Sequence, residues 1–133
     1  MEKALALAER CEVVLFGNMD GAGFPQVKAM LKAGQAGLRE FLFCTNTSSK
    51  RVAEIQRDDR ACLYFYEGFE GLQLQGVASV TWDDALRLSL WEDGMEFHYP
   101  GGALDADFAV IRFVAARGNY YDGLPAVEFL VEA

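Results

Sequence analysis

A single histidine, His98, serves the whole 133-residue chain. One imidazole cannot build the common His-based metal sites, so no metal is expected. It also leaves no nucleophilic triad, because His98 is the only imidazole base and sits within Phe97-His98-Tyr99, which reads as a structural or surface histidine. Cysteine is scarce as well. Cys11, Cys44 and Cys62 have apolar neighbours and no short spacing, as small core residues do. Basic side chains number 12 against 20 acidic ones, a formal charge of −8. Such a surface repels a phosphate backbone, which argues against nucleic acid as a partner. No apolar run is long enough to cross a bilayer. The opening Met-Glu-Lys-Ala lacks the order of a secretion signal, so the expected location is cytoplasmic. G-x-G-x-x-G and Walker-type loops are missing, as are repeats, linkers and low-complexity segments.

What is present is a globular composition, 52% hydrophobic and 13% aromatic. Residues 1–133 fit one domain able to bury a core without disulfides. A short helix is expected over 2–9 and strands over 12–16 and 25–32, joined by the turn-forming Asn-Met-Asp-Gly-Ala-Gly. In the second strand, Val27, Ala29 and Leu31 are assigned to the core face and Gln26, Lys28, Met30 and Lys32 to the other. Strand 38–45 leads to a helix over 49–57 that buries Val52, Ala53 and Ile55. Strand 61–66 is apolar throughout and is expected to be covered on both faces. Strand 72–82 sets Leu72, Leu74, Ala78 and Val80 on one side and Gln73, Gln75, Ser79 and Thr81, with Val77, on the other, with Gly76 marking a bulge or close approach. A helix from Asp83 or Asp84 to about Asp93 ends at Gly94, and 95–108 is irregular. Strand 108–116 breaks at Gly118, with a short return strand over 119–122 and a last strand over 127–131. Short connections make the sheet mainly antiparallel, and the class is mainly β (α+β), a small closed barrel with two to three helices.

The stretch from Phe41 to Ile55 organises the rest. A buried strand runs into Thr45-Asn46-Thr47-Ser48-Ser49 and then a helix, which Thr47, Ser48 or Ser49 can cap. Lys50 and Arg51 follow, cations where a helix favours anions. Hydroxyls, free N–H groups and two cations together make an anion site, with phosphate its natural occupant. The plain alternative is that both cations face water. Lys28 is either a solvated edge lysine or a donor to an anionic ring system. Gln73 and Gln75 either lie on the surface or donate to ring carbonyls. Tyr120 and Tyr121 either cover the core or stack on a flat ligand.

Several of these segments resemble one family, the pyridoxamine 5'-phosphate oxidase-like, FMN-binding split-barrel proteins, and within it the general-stress-protein subgroup. Phe43 to Val52 is similar to the family's strand, Thr-Asn, Ser-Arg-Lys segment that holds the FMN phosphate; here the pair is Lys50-Arg51, and Arg51 matches the subgroup's lysine. Pro25-Gln26-Val27-Lys28-Ala29-Met30 resembles the strand that passes the flavin ring. Tyr99-Pro100-Gly101-Gly102 with Asp105-Ala106-Asp107, and Asn119-Tyr120-Tyr121-Asp122, resemble two more subgroup segments, with Ala106 in place of Pro and Tyr121 in place of Trp. The resemblance implies an antiparallel split barrel, FMN as cofactor, and a homodimer with the flavin at its interface. It assigns Thr45, Ser49, Lys50 and Arg51 to the phosphate and Lys28, Ala29 and Met30 to the ring. Gln73, Gln75 and Tyr121 are further candidates, from either chain. The implied function is FMN-dependent redox chemistry with a small-molecule partner such as a reduced nicotinamide; the catalytic residues and substrate are unknown. The alternative is non-catalytic binding or sensing of flavin or haem, with His98 as the axial histidine. Two oxidase features are absent: the glutamine before the long strand's glycine falls near Gly71, and the C-terminal arginine-histidine segment is missing. Pyridoxamine phosphate oxidation itself is therefore not expected.

Overall fold

The structure, a computed structural model, describes residues 1–132. Helix α1 (Glu2–Arg10) precedes a hairpin of β1 (Val13–Met19) and β2 (Pro25–Leu31). Asp20 shapes the turn, accepting from the Ala22 and Phe24 N–H groups at 2.9 Å each. Then come β3 (Gly34–Ala36), β4 (Glu40–Asn46), α2 (Lys50–Arg57), β5 (Arg60–Glu67), β6 (Glu70–Thr81), α3 (Asp84–Leu90), β7 (Phe108–Asp122) and β8 (Ala126–Leu130). The strands form one antiparallel sheet in the order β2-β1-β5-β6-β7-β4-β3, with β8 also on β7. The sheet curls until β2 stands beside β4, an opening that no ladder closes. This is the expected split barrel: mainly β, with three helices.

The core follows from the two-residue period of each strand. Val14 and Phe16, Phe41 and Phe43, Leu63 and Phe65, Leu72 and Leu74, and Ile111 and Phe113 all have no exposed surface. Each such side chain contributes about 1.5–3 kcal/mol on burial. Phe16 meets Phe43 edge to face at 5.6 Å, which ties β1 to β4 across the barrel interior. Ala4, Leu7 and Ala8 of α1 close one end of this core.

Four expectations are corrected. In β2 the faces are reversed: Gln26 and Met30 turn inward, while Val27 and Leu31 are 67% and 69% exposed and Ala29 is exposed too. Alternation gives the period but not which face is inside, and β2 is an edge strand. In β5 one face is core and the other, with Cys62, Tyr64 and Tyr66, is open; aromatic residues on both faces hid the period. Gly118 does not break β7, which runs unbroken through it to Asp122. A Cβ there would lie 2.4 Å from the Phe129 ring, so this glycine admits the packing of β8. Finally, α3 stops at Leu90, where Trp91 turns in to pack on Phe108 at 5.6 Å, and Gly94 instead opens a 3-10 turn over Met95–Phe97. Gly76 does mark a bulge: the register shifts between Gln75 and Gly76, and a Cβ would stand 2.0 Å from the Val114 carbonyl oxygen.

Candidate anion site and adjoining cavity

The turn from β4 into α2 is held by its surroundings. The Thr47 N–H donates to the Asp107 carbonyl at 2.7 Å and its hydroxyl to the Ala106 carbonyl at 2.9 Å. That hydroxyl also accepts from Trp82 Nε1 at 2.8 Å. The Ser48 N–H donates to Asp107 Oδ1 at 2.9 Å, and the Tyr99 hydroxyl donates to Asn46 Oδ1 at 2.7 Å. Thr47 and Ser48 are thereby committed to the 106–107 segment. Ser49 is the N-cap residue by position, yet its hydroxyl caps no N–H of α2 and lies 3.5 Å from Thr45 Oγ1. The expected side-chain cap is not made, and the first turn of α2 has no carboxylate. Its N–H groups keep their partial positive charge unanswered by a capping side chain.

Lys50 is exposed and Arg51 half-buried. Among the described residues neither makes an ion pair. Arg51 Nε is buried without a hydrogen-bond partner, and its guanidinium lies 5.9 Å from the Phe16 ring centre. Burial lowers the pKa of Arg51, and the charge of Glu54 one turn along opposes that shift. With 20 acidic side chains available in the sequence, two adjacent cations free of ion pairs fit a site that receives an external anion better than an internal network.

A cavity of about 570 Å³ reaches the end of β4 just before this turn, but none of Thr45 to Arg51 lines it; Lys50 lines a separate cavity of about 290 Å³ with Asp20, Glu54 and Arg57. Lys28, Ala29 and Met30 line it from β2, Cys44 from β4, and Met95, His98 and Tyr99 from the segment after α3. Strand β4 runs from one feature to the other: Cys44 lines the cavity, Thr45 follows, 8% exposed, and Asn46 opens the turn. Burial pushes the Cys44 thiol up to about 11, so it stays protonated at neutral pH. The fold thus brings Thr45, Ser49, Lys50 and Arg51 into one turn, while Lys28, Ala29 and Met30 line the cavity at the end of β4, just before that turn begins.

It does not bring in the remaining three within one chain. Gln73 and Gln75 line a separate cavity of about 300 Å³ on the outer face of the sheet, where Arg117 Nε donates to Gln75 Oε1 at 2.7 Å. Tyr121 is on that face too, its hydroxyl paired with that of Tyr64 over Gly71. The pair holds the Tyr64 hydroxyl up at about 12. Sequence reasoning also missed a buried polar cluster. In α2 the inward residues are Val52, Glu54 and Ile55, while Ala53 is exposed. Glu54 accepts from Gln26 Nε2 at 2.6 Å, and Asn18 lies beside them. The helical period could not single it out, since Ala53 and Glu54 both fall between Val52 and Ile55 and only Glu54 turns inward.

Comparison with known proteins agrees with this architecture. The sequence profile of the pyridoxamine 5'-phosphate oxidase family matches residues 1–122. A crystal structure from Clostridium acetobutylicum, of a protein related to general stress protein 26 of B. subtilis and assigned to the pyridoxinephosphate oxidase family, is 35% identical, with a TM-score of 0.86 over 98% of this chain and 93% of that one. General stress protein 26 from Bacillus anthracis shares the fold at 14% identity, with a TM-score of 0.81 over 98% and 97% of the two chains. A heme binding protein from Mycobacterium smegmatis does so at 17% identity, with a TM-score of 0.74 over 97% of this chain and 57% of that one. No curated protein matches the chain. By profile, identity and fold, the chain belongs to the pyridoxamine 5'-phosphate oxidase-like split-barrel family.

Proposed function

We propose that the chain is an FMN-binding flavoprotein and acts as an FMN-dependent oxidoreductase. The observation that carries this reading is the unpaired Lys50-Arg51 step on the uncapped end of α2, with Arg51 Nε buried and lacking a partner. A flavin phosphate suits that donor set. The hydroxyls of Thr45 and Ser49 donate to it, Lys50 and Arg51 neutralise it, and the helix N–H groups face it. The partial burial of Arg51 strengthens its interaction with an anion by excluding water. In this reading Lys28, Ala29 and Met30, which line the cavity from β2, flank the ring, and Lys28 holds positive charge beside it. When bound, FMN supplies hydride or electron transfer, and the protein binds, orients and shields it. A reduced nicotinamide is the proposed electron donor.

A homodimer is part of this reading. The outer face of the sheet carries Val27, Leu31, Val13 and Tyr66, all more than half exposed, in one patch across β2, β1 and β5. The same face continues through Gln73, Gln75 and Tyr121. An apolar surface of this extent suits a second copy of the chain. Docked there, Gln73, Gln75 and Tyr121 would serve the partner's flavin and not their own. The charge of −8 disfavours nucleic acid, and no helix among the described residues is long and apolar enough to cross a membrane.

The test is to mix the purified protein with FMN and then with a reduced nicotinamide. Quenching of flavin fluorescence and bleaching of the bound flavin are expected; a protein that ignores micromolar FMN refutes the reading. One observation favours a second reading, haem binding without turnover: His98 lines the same cavity as Met30 and Met95. A Soret band on adding haem, lost in His98→Ala, would support it.

A further inference from the structure

Glu54 is a buried charge that the flavin reading leaves without a role. It lies on α2 one turn beyond Arg51, is 5% exposed, and accepts from Gln26 Nε2 at 2.6 Å. Gln26 stands on β2 two residues before Lys28, and its Nε2 also reaches Asn18 Oδ1 at 3.5 Å, where Asn18 is itself 5% exposed. Strand β2 has its ladder on β1 alone, so α2 and β2 are not joined through the sheet. Among the described residues, the Gln26–Glu54 bond is the only hydrogen bond between them. Burying a carboxylate is unfavourable, and an apolar pair would fill the same space without that penalty. What the polar pair adds is a fixed separation, because a charge-assisted hydrogen bond tolerates little stretch.

We propose that Glu54 is a positioning residue: through Gln26 it fixes the distance between the phosphate-holding turn of α2 and the ring-lining strand β2. This role rests on the flavin reading. It confers selectivity for ligands that carry a phosphate and a flat ring together. A ligand touching only one of the two elements is indifferent to the spacing.

The test compares FMN with lumiflavin, which keeps the ring and lacks the phosphate arm. The paired variant Gln26→Leu/Glu54→Leu removes the bond together with both of its polar partners, and the longer 3.5 Å contact to Asn18 Oδ1 with it. Its FMN affinity should fall about tenfold, the effect of losing one charge-assisted bond, while lumiflavin affinity stays unchanged. Glu54→Gln keeps an acceptor oxygen for Gln26 and should hold FMN within about threefold of the unaltered protein. Should the paired variant not fold, Gln26→Ala carries the same comparison, since it spares the carboxylate and admits water. Unchanged FMN affinity, or equal loss of both flavins, overturns the positioning role and leaves the flavin reading standing. No FMN binding by the unaltered chain overturns the reading itself, and this role with it.

Discussion

The guanidinium of Arg51 lies 5.9 Å from the centre of the Phe16 ring, and its Nε is buried without a hydrogen-bond partner. Phe16 is a fully buried core residue of β1, so the cation is held against the barrel and not free in solvent. A charge kept there at a desolvation penalty, with the carboxylate of Glu54 one turn away but no direct ion pair among the described residues, is poised for an external anion.

Arg51→Met retains the packing on Phe16 and removes the charge. Stability should stay within about 0.5 kcal/mol of the unaltered protein, and FMN affinity should fall about tenfold or more. Reversing both cations, Lys50→Glu with Arg51→Glu, should abolish binding and leave the fold intact. Thermal melting alongside fluorescence titration separates the two effects.

Trp82 donates to the Thr47 hydroxyl at 2.8 Å, which helps fix the turn against the rest of the barrel. Trp82→Phe removes that donor while keeping most of the ring. A loss of about 1 kcal/mol is expected, with weaker FMN binding because the turn is less well held. Urea unfolding measures the first and titration the second.

Alkaline conditions should destabilise the protein partly through Cys44. Burial holds its thiol up at about 11 against an ordinary 9.0. As pH rises, the unfolded chain therefore releases this proton first, and the stability contributed by the thiol form is complete below pH 9 and lost towards pH 11. Tyr120, held up at about 12 by its hydrogen bond to Glu70, extends the loss at higher pH. Denaturation midpoints across this range should fall less steeply in Cys44→Ala.

Glycine substitutions should separate sharply by neighbourhood. At Gly76 a Cβ would meet the Val114 carbonyl oxygen at 2.0 Å and the Ala115 Cα at 2.9 Å, both backbone. Gly76→Ala should cost about 2–4 kcal/mol, because β7 cannot move aside without breaking its ladder. At Gly37 nothing lies within 4 Å and only the positive φ of 58° resists a side chain. Gly37→Ala should cost about 1 kcal/mol. Chemical denaturation of both tests the bulge assignment.

Much of this architecture is legible in the residues. The shared face of Leu72, Leu74, Ala78 and Val80 in β6, the Gly76 bulge and the turn carrying Lys50 and Arg51 follow from period, glycine placement and charge sign. The failures share a cause. In β2 the period is real, but choosing the inner face requires knowing that Glu54 waits inside to receive Gln26. In β5 aromatic side chains on both faces erase the contrast on which alternation depends. Gly118 reads as a break because the sequence cannot reveal that Phe129 will lie across it. Thr47 and Ser48 read as possible caps beside Ser49 because their actual partners lie nearly sixty residues away, at 106 and 107. Gln73, Gln75 and Tyr121 read as ring-contact candidates, yet their common location on the outer face emerges only from the sheet order. Local chemistry was readable; long-range pairing was not.

The most direct measurement is a parallel titration of the unaltered protein with FMN and with riboflavin, followed by flavin fluorescence. The account predicts stoichiometric quenching by FMN at micromolar concentration, and riboflavin binding weaker by about tenfold or more for want of the phosphate. Equal affinity for the two flavins, or no binding of either, would contradict a phosphate held by Lys50 and Arg51.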